Sequence, residues 1–192
     1  MIPNPPRHPA ALATLLLACP ALAAADQFVI DARHTFPSFE ISHIGFSTQR
    51  GRFDNTTGTI SLDAKNKTGQ INISIEANSI DTGLAELEDR LKKEDFFNTG
   101  KYPTITYVAD TLIFDGEKPI RADGKLTLLG IAKPVSLDIG HFHCGIHPIS
   151  KKSVCGADAV GQIKRSDFGM TAFLPAVGDE VKLFIQVEGF RE

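Results

Sequence analysis

Residues 84–109, LAELEDRLKKEDFFNTGKYPTITYVA, change periodicity within one short stretch. Leu84, Leu87 and Leu91 recur at three- and four-residue spacing with charges between them, the stripe of a short amphipathic helix over 84–93. From Thr104 the pattern turns to alternation, with Ile105, Tyr107 and Ala109 on one face of a strand that Tyr102-Pro103 opens. Between the two segments stand Phe96 and Phe97. Adjacent side chains at a helix exit point in different directions, so this pair cannot fill a single core face. One helix anchored by a greasy joint in an otherwise β chain suggests a barrel with a lid or plug.

Outward from that joint, period-two alternation dominates. Ile71, Ile73 and Ile75 alternate with Asn72, Ser74 and Glu76; Phe39, Ile41 and His43 share a face, as do Val135, Leu137 and Ile139, and the series Val181 to Val187. Turn residues separate these runs at Asn66-Lys67-Thr68-Gly69, Asp115-Gly116, Asp123-Gly124 and Gly178-Asp179. Between Phe53 and Ile60 the apolar positions change parity, which a bulge explains. About eight antiparallel strands follow, and alternation alone fits a sandwich or a closed barrel. Closure has the advantage of removing both sheet edges, and eight strands make about the smallest barrel able to hold one elongated ligand. The 13 phenylalanines and absence of tryptophan allow an aromatic interior with no indole N–H to satisfy. If side chains fill the interior instead, the chain is a structural or partner-binding module.

Residues 1–25 read as an export signal, with Arg7 as the only charge, an apolar run from Ala10 to Ala25 and small residues before Asp26. Pro20 breaks that run short of the roughly 20 residues that span a bilayer. The expected product is a periplasmic domain over 26–192, with the leader removed. A rival reading takes Leu16-Leu17-Ala18-Cys19 as a lipobox, so that Cys19 anchors a lipoprotein. With 20 Lys and Arg against 23 Asp and Glu, and no cluster of positive charge, nothing marks a nucleic-acid partner.

In an oxidising compartment Cys144 and Cys155 are expected to form a disulfide across a hairpin whose tip is Ser150-Lys151-Lys152-Ser153. The competing reading joins His141, His143 and His147 to these cysteines as a metal site, because HFH places two imidazoles on one strand face. Oxidation would remove the thiolates such a site would use. No Gly-x-Ser-x-Gly elbow, His-Glu-x-x-His helix or phosphate loop points to an enzyme.

Several separated segments carry a resemblance in the right order: FVIDARHTFPSFEISHIGFST over 28–48, the helix with DFFNTGKYP over 95–103, LTLLGIAKPVSL over 126–137 and VKLFIQVEG over 181–189. Together they resemble the YceI family of exported lipid-binding proteins. The resemblance implies an eight-stranded antiparallel, lipocalin-like barrel without established enzymatic activity. Its lumen would hold an isoprenoid lipid, either an isoprenoid quinone such as ubiquinone or a polyprenyl phosphate, with a fatty-acid-like amphiphile as the alternative. HCGIHPISKKSVCGAD over 143–158 resembles a Cys-bearing subgroup with quinone-binding members.

Carried over by position, the expected wall comprises Phe39, Ile41, Phe46, Phe53, Phe96, Phe97, Ile105, Tyr107, Phe168 and Met170. The head-group candidates are His34, His43, Arg50, Arg52 and Arg90. A phosphate suits forked arginines, whereas a quinone carbonyl needs one or two donors. Expected partners are the lipid and a membrane surface or membrane enzymes, with the protein a monomer or homodimer.

Overall fold

The computed structural model describes Met1 and residues 25–192, so the body of the expected export signal and Cys19 lie outside the described residues. The alternating segments form β1 (Asp26–Ile30), β2 (Phe36–His43), β3 (Ser47–Phe53), β4 (Thr56–Asp63), β5 (Thr68–Glu76) and β6 (Ile80–Asp81). After α1 (Ala85–Leu91), the one α-helix among the described residues, come β7 (Thr104–Asp115), β8 (Lys118–Leu128), β9 (Ile131–Ile146), β10 (Ser153–Lys164) and β11 (Val177–Arg191).

Pairing reduces these eleven segments to eight strands. β1 and β2 both run antiparallel to β11, with Phe28 opposite Arg191 and Ile41 opposite Val181, so they are two halves of one strand. β4 pairs with β1 while β3 pairs with β2, which makes β3 and β4 the next strand. β5 pairs with β4 and continues through a 3-10 turn, Ala77–Ser79, into β6 against β3. The remaining strands follow as an up-and-down meander, and the β1–β11 pairing closes the ring. The protein is therefore an all-β, eight-stranded antiparallel barrel, and closure leaves no long edge open to aggregation.

The first two of these three broken strands have local causes. At Asp31–Thr35 the chain leaves the ladder because the Asp31 carboxylate accepts from Arg33 N at 3.1 Å, from Arg33 Nε at 3.1 Å and from His34 Nδ1 at 2.9 Å. The Arg33 guanidinium first, with His34 behind it, holds the Asp31 carboxyl well below the usual carboxylate range. Thr35 Oγ1 then stands in for the missing ladder, donating to Glu188 O and accepting from Glu188 N. At Asp54–Asn55 the inward parity switches from Phe53 to Thr56, Ile60 and Leu62, as the sequence predicts for a bulge. Gly58 sits just beyond, at φ +146°, where a Cβ would lie 2.1 Å from Asn72 O; only glycine lets the neighbouring strand come so near.

Because the strands alternate in direction, the connections 44–46, 82–103, 129–130 and 165–176 gather at one end of the barrel. That end carries α1, and it is the helix-side end below. The helix is shorter than the predicted 84–93: Leu84 is its extended N-cap and Lys92 its C-cap. Glu88 secures it to the barrel by accepting from Thr82 N–H at 3.0 Å. At the far end, Cys144 and Cys155 face each other across β9 and β10 and are joined as a disulfide, as expected.

Candidate functional site

The barrel encloses a cavity of about 810 Å³. Its wall is the inward face of the alternation: Ile71, Ile73 and Ile75 from β5, Leu137 and Ile139 from β9, Leu183 and Ile185 from β11. What keeps it hollow is the opposite choice on β8 and β10, whose inward residues include only Ala122, Ala157 and Ala159 at mid-wall. Large residues on some strands facing small ones on others would interdigitate in a solid core; around a ring they leave space for a ligand.

Of the ten residues expected on the wall, Phe39, Ile41, Phe53, Phe96, Phe97, Ile105, Tyr107 and Met170 line the cavity. Phe46 does not. It follows Gly45 in the β2–β3 turn and is 89% exposed, because the left-handed turn at Ile44 and Gly45 ends the alternation that would have carried it inward. Phe168 is buried but stands behind the wall, since the 3-10 turn Arg165–Phe168 breaks the strand parity there.

The adjacent phenylalanines diverge as a helix exit requires. Phe97 packs edge-on against Phe53 at 5.4 Å between centroids, with Phe39 6.4 Å away. Phe96 stacks on Phe173 at 6.1 Å, with the Arg90 guanidinium 4.8 Å above its ring. Together they join α1 to two different parts of the wall. Arg90 is itself held by Asp95, with which it forms a forked ion pair.

Polar groups on the wall fall into two kinds. Tyr107 crosses the inner face of β8, where Gly124 has no side chain and a Cβ would meet Tyr107 Cζ at 2.6 Å. Its hydroxyl reaches both Ala122 O and Val135 O at 3.0 Å, and burial, reinforced by the charge of Asp123, pushes its pKa up to about 12. This hydroxyl belongs to the wall and is not a free donor. Thr56 is fully buried, 0% exposed, with no hydrogen-bond partner for Oγ1. His43, Arg50 and Arg90 line the helix-side end, Arg50 with its Nε 2.7 Å from Glu40. His34 and Arg52 lie off the wall: His34 is committed to Asp31, and Arg52 pairs with Asp54 at 2.8 Å and Asp81 at 3.3 Å.

Comparison with known proteins fixes the lineage of this barrel. Residues 28–189 match the YceI-like domain. Protein YceI of Escherichia coli O157:H7 is 36% identical over 183 residues, covering 94% of both chains, and Protein YceI of Salmonella arizonae is 35% identical over 184. The chain belongs to the YceI family. Among solved structures, the Campylobacter jejuni YCEI protein superposes with a TM-score of 0.64 at 27% identity, covering 79% of this chain and 90% of that one. Burkholderia cenocepacia BcnA gives 0.70 at 22% identity, covering 83% and 98%. A polyisoprenoid binding domain from Saccharophagus degradans gives 0.62 at 16% identity, covering 88% and 100%. The last two share the fold.

Within this YceI barrel the histidines of the cluster do not converge on one point. Phe142, between His141 and His143, faces the lumen, so both imidazoles lie on the outer face of β9. His147 Nδ1 accepts from Ser150 N at 3.1 Å and its ring packs on Phe190 at 5.6 Å. Among the described residues no group of three His, Cys, Asp or Glu is placed to hold a metal, and the cysteines are spent in the disulfide.

Among the wall residues that sequence reading missed, the one that carries a buried charge is Arg165, 3% exposed just past the end of β10. The signal was present: Arg165 shares parity with Ala157, Ala159 and Ile163. It was obscured because an inward face of alanines gives almost no hydrophobic alternation.

Proposed function

We propose that this YceI protein is a periplasmic binding and carrier protein, not an enzyme, that holds an isoprenoid quinone or a polyprenyl phosphate in its lumen. The observation that carries this reading is the apolar cavity of about 810 Å³ running along the inside of a closed barrel. A prenyl tail gains roughly 0.8 kcal/mol for each CH₂ withdrawn from water, so it partitions strongly into such a space and crosses an aqueous compartment only inside one. The Saccharophagus degradans domain of the same fold is described as polyisoprenoid binding, which supports the same ligand class here. The export signal over 1–25 supports the compartment.

The helix-side end supports transfer to and from membranes. Phe46, Phe173, Leu84 and Ile44 are exposed there, and the last three also border the cavity. An apolar rim continuous with an apolar interior gives a prenyl chain a path that avoids water. Protein purified without detergent, analysed by native mass spectrometry and organic extraction with ultraviolet detection, tests the reading. An adduct that absorbs identifies a quinone, and a non-absorbing phosphorus-containing prenyl adduct identifies a polyprenyl phosphate. A protein that carries no lipid and takes up none from isoprenoid-loaded vesicles refutes the function.

A further inference from the structure

The lumen is chemically lopsided. At the far end its wall is Phe28, Leu62, Leu112, Pro119 and Phe142, and the polar side chain at that level, Thr35, is uncharged and spends its hydroxyl on the Glu188 backbone. His43, Arg50, Thr82, Arg90 and Arg165 all sit toward the helix-side end. Arg50 and Arg90 are partly in solvent and have carboxylate partners in Glu40 and Asp95. Arg165 differs from both. It is buried, and among the described residues it makes no ion pair.

Its guanidinium instead donates to four carbonyls of the loop that closes over it: Nε to Gly178 O at 2.8 Å, Nη1 to Met170 O at 3.0 Å, and Nη2 to Ala172 O at 2.8 Å and Val177 O at 3.0 Å. A guanidinium has five N–H groups, so one on Nη1 is uncommitted. Asp179, the nearby acid, is turned to Ser166, accepting from its N–H at 2.9 Å and its hydroxyl at 2.8 Å. Carbonyl dipoles solvate a buried cation without cancelling its charge, and a buried charge lacking a counter-charge is costly. Burial pulls the Arg165 pKa down, and the charge of Asp179 offsets that only in part, as expected for a cation short of full compensation. Met170 and Val177, whose carbonyls it holds, also border the lumen, so the spare donor and the charge are at the cavity's edge.

From this arrangement we propose that Arg165 is the head-group determinant, and that the lumen takes an amphiphile with an acidic head, phosphate or carboxylate, at the helix-side end and its tail toward Phe28 and Leu62. The proposal rests on the lipid-carrier reading above and narrows its ligand. An acid head would add the direct ion pair that Asp179, turned to Ser166, does not make, and would accept the fifth N–H in a charge-assisted bond away from the screening of bulk water.

Three probes with one tail test it on the intact exported protein: farnesol, farnesoic acid and farnesyl phosphate, measured by displacement of a fluorescent prenyl analogue. Both acids should bind about 10- to 100-fold tighter than the alcohol, the range expected for one charged hydrogen bond, with the gap retained at 0.5 M salt. The order of phosphate and carboxylate then tells which acid the site prefers. Arg165→Gln, confirmed folded by circular dichroism, should bring the acids down to the alcohol, so that the ratio of acid to alcohol affinity falls to about one whatever the looser loop does to farnesol itself. If that variant fails to fold, Arg50→Gln and Arg90→Gln decide: an acid preference that survives both assigns the head to Arg165, and one that either abolishes overturns the assignment. Farnesol binding within threefold of both acids would overturn the proposal and make Arg165 a loop staple, leaving the carrier reading intact. Failure of all three to bind would overturn both.

Discussion

Replacing Phe96 and Phe97 together by serine should empty one side of the ligand's contact surface while sparing the barrel. An aromatic side chain buries roughly 150–250 Å² in all, and here each ring already spends most of that on protein: Phe97 on Phe39 and Phe53, Phe96 on Phe173 and Arg90. Phe96 is 8% exposed, so only about 15 Å² of it can face a bound tail, against about 50 Å² of the half-buried Phe97, worth about 0.4 and 1.2 kcal/mol at ~25 cal/mol/Å². The pair contributes about 1.6 kcal/mol, which weakens prenyl binding roughly 15-fold. Neither residue belongs to a strand, so β content by far-ultraviolet circular dichroism should hold even though losing the buried Phe96 ring costs about 3–5 kcal/mol of stability. Displacement titration with a fluorescent prenyl analogue, run beside the dichroism spectrum, measures both effects. A folded double variant that binds within threefold of the wild type would show that the two rings are packing alone. Phe97→Ser, at the half-buried position, gives the same comparison with a smaller stability loss and an expected weakening of about eightfold.

Tyr107→Phe removes the donor shared by Ala122 O and Val135 O, and should cost about 1–3 kcal/mol in urea unfolding while changing prenyl affinity little, because that hydroxyl is turned to the wall. Replacing Cys144 and Cys155 by serine opens a loop of sequence separation 11, an expected loss of about 2–3 kcal/mol and of roughly 5–10 °C in Tm by calorimetry, equal to that caused by reducing the wild type. Asp31, Asp123 and Asp179 all have carboxyl pKa values held below the ordinary 3.8, chiefly by Arg33, by Ser136 and by the Ser166 backbone respectively. A carboxylate favoured in the folded state gives stability that is complete above its unfolded pKa and lost as pH falls through its folded one. The urea midpoint should therefore be flat from pH 6 to about 5 and fall steadily below about pH 4, and Asp179→Asn should flatten that fall.

Where one face of a strand is wet and the other dry, the amino-acid order was sufficient. Ile71, Ile73 and Ile75 alternate with polar residues and do line the lumen, as do Phe39 and Ile41. The bulge between Phe53 and Ile60 was visible as a change of parity, and the divergence of Phe96 and Phe97 followed from helix geometry. Inference failed where a face had to be carried through a turn. Phe46 and Phe168 lie just past Gly45 and inside a 3-10 turn, and neither keeps the phase of its strand. Arg165 was hidden for a different reason: β10 is lined with alanine on the inside, so the small residues that make the cavity also erase the pattern that would locate it. Closure itself depends on Phe28 meeting Arg191 across nearly the whole chain, a contact that no local periodicity encodes. Alternation alone therefore left barrel and sandwich open.

The lumen is proposed to hold a prenyl tail along its length, and a crystal structure of the protein with farnesyl phosphate tests this. Continuous density is expected inside the barrel, touching Phe97 and Ile73, with the phosphate beside Arg165 and the last isoprene unit toward Leu62. Density on the outer surface, or a lumen without ligand in crystals soaked well above the measured Kd, would contradict it.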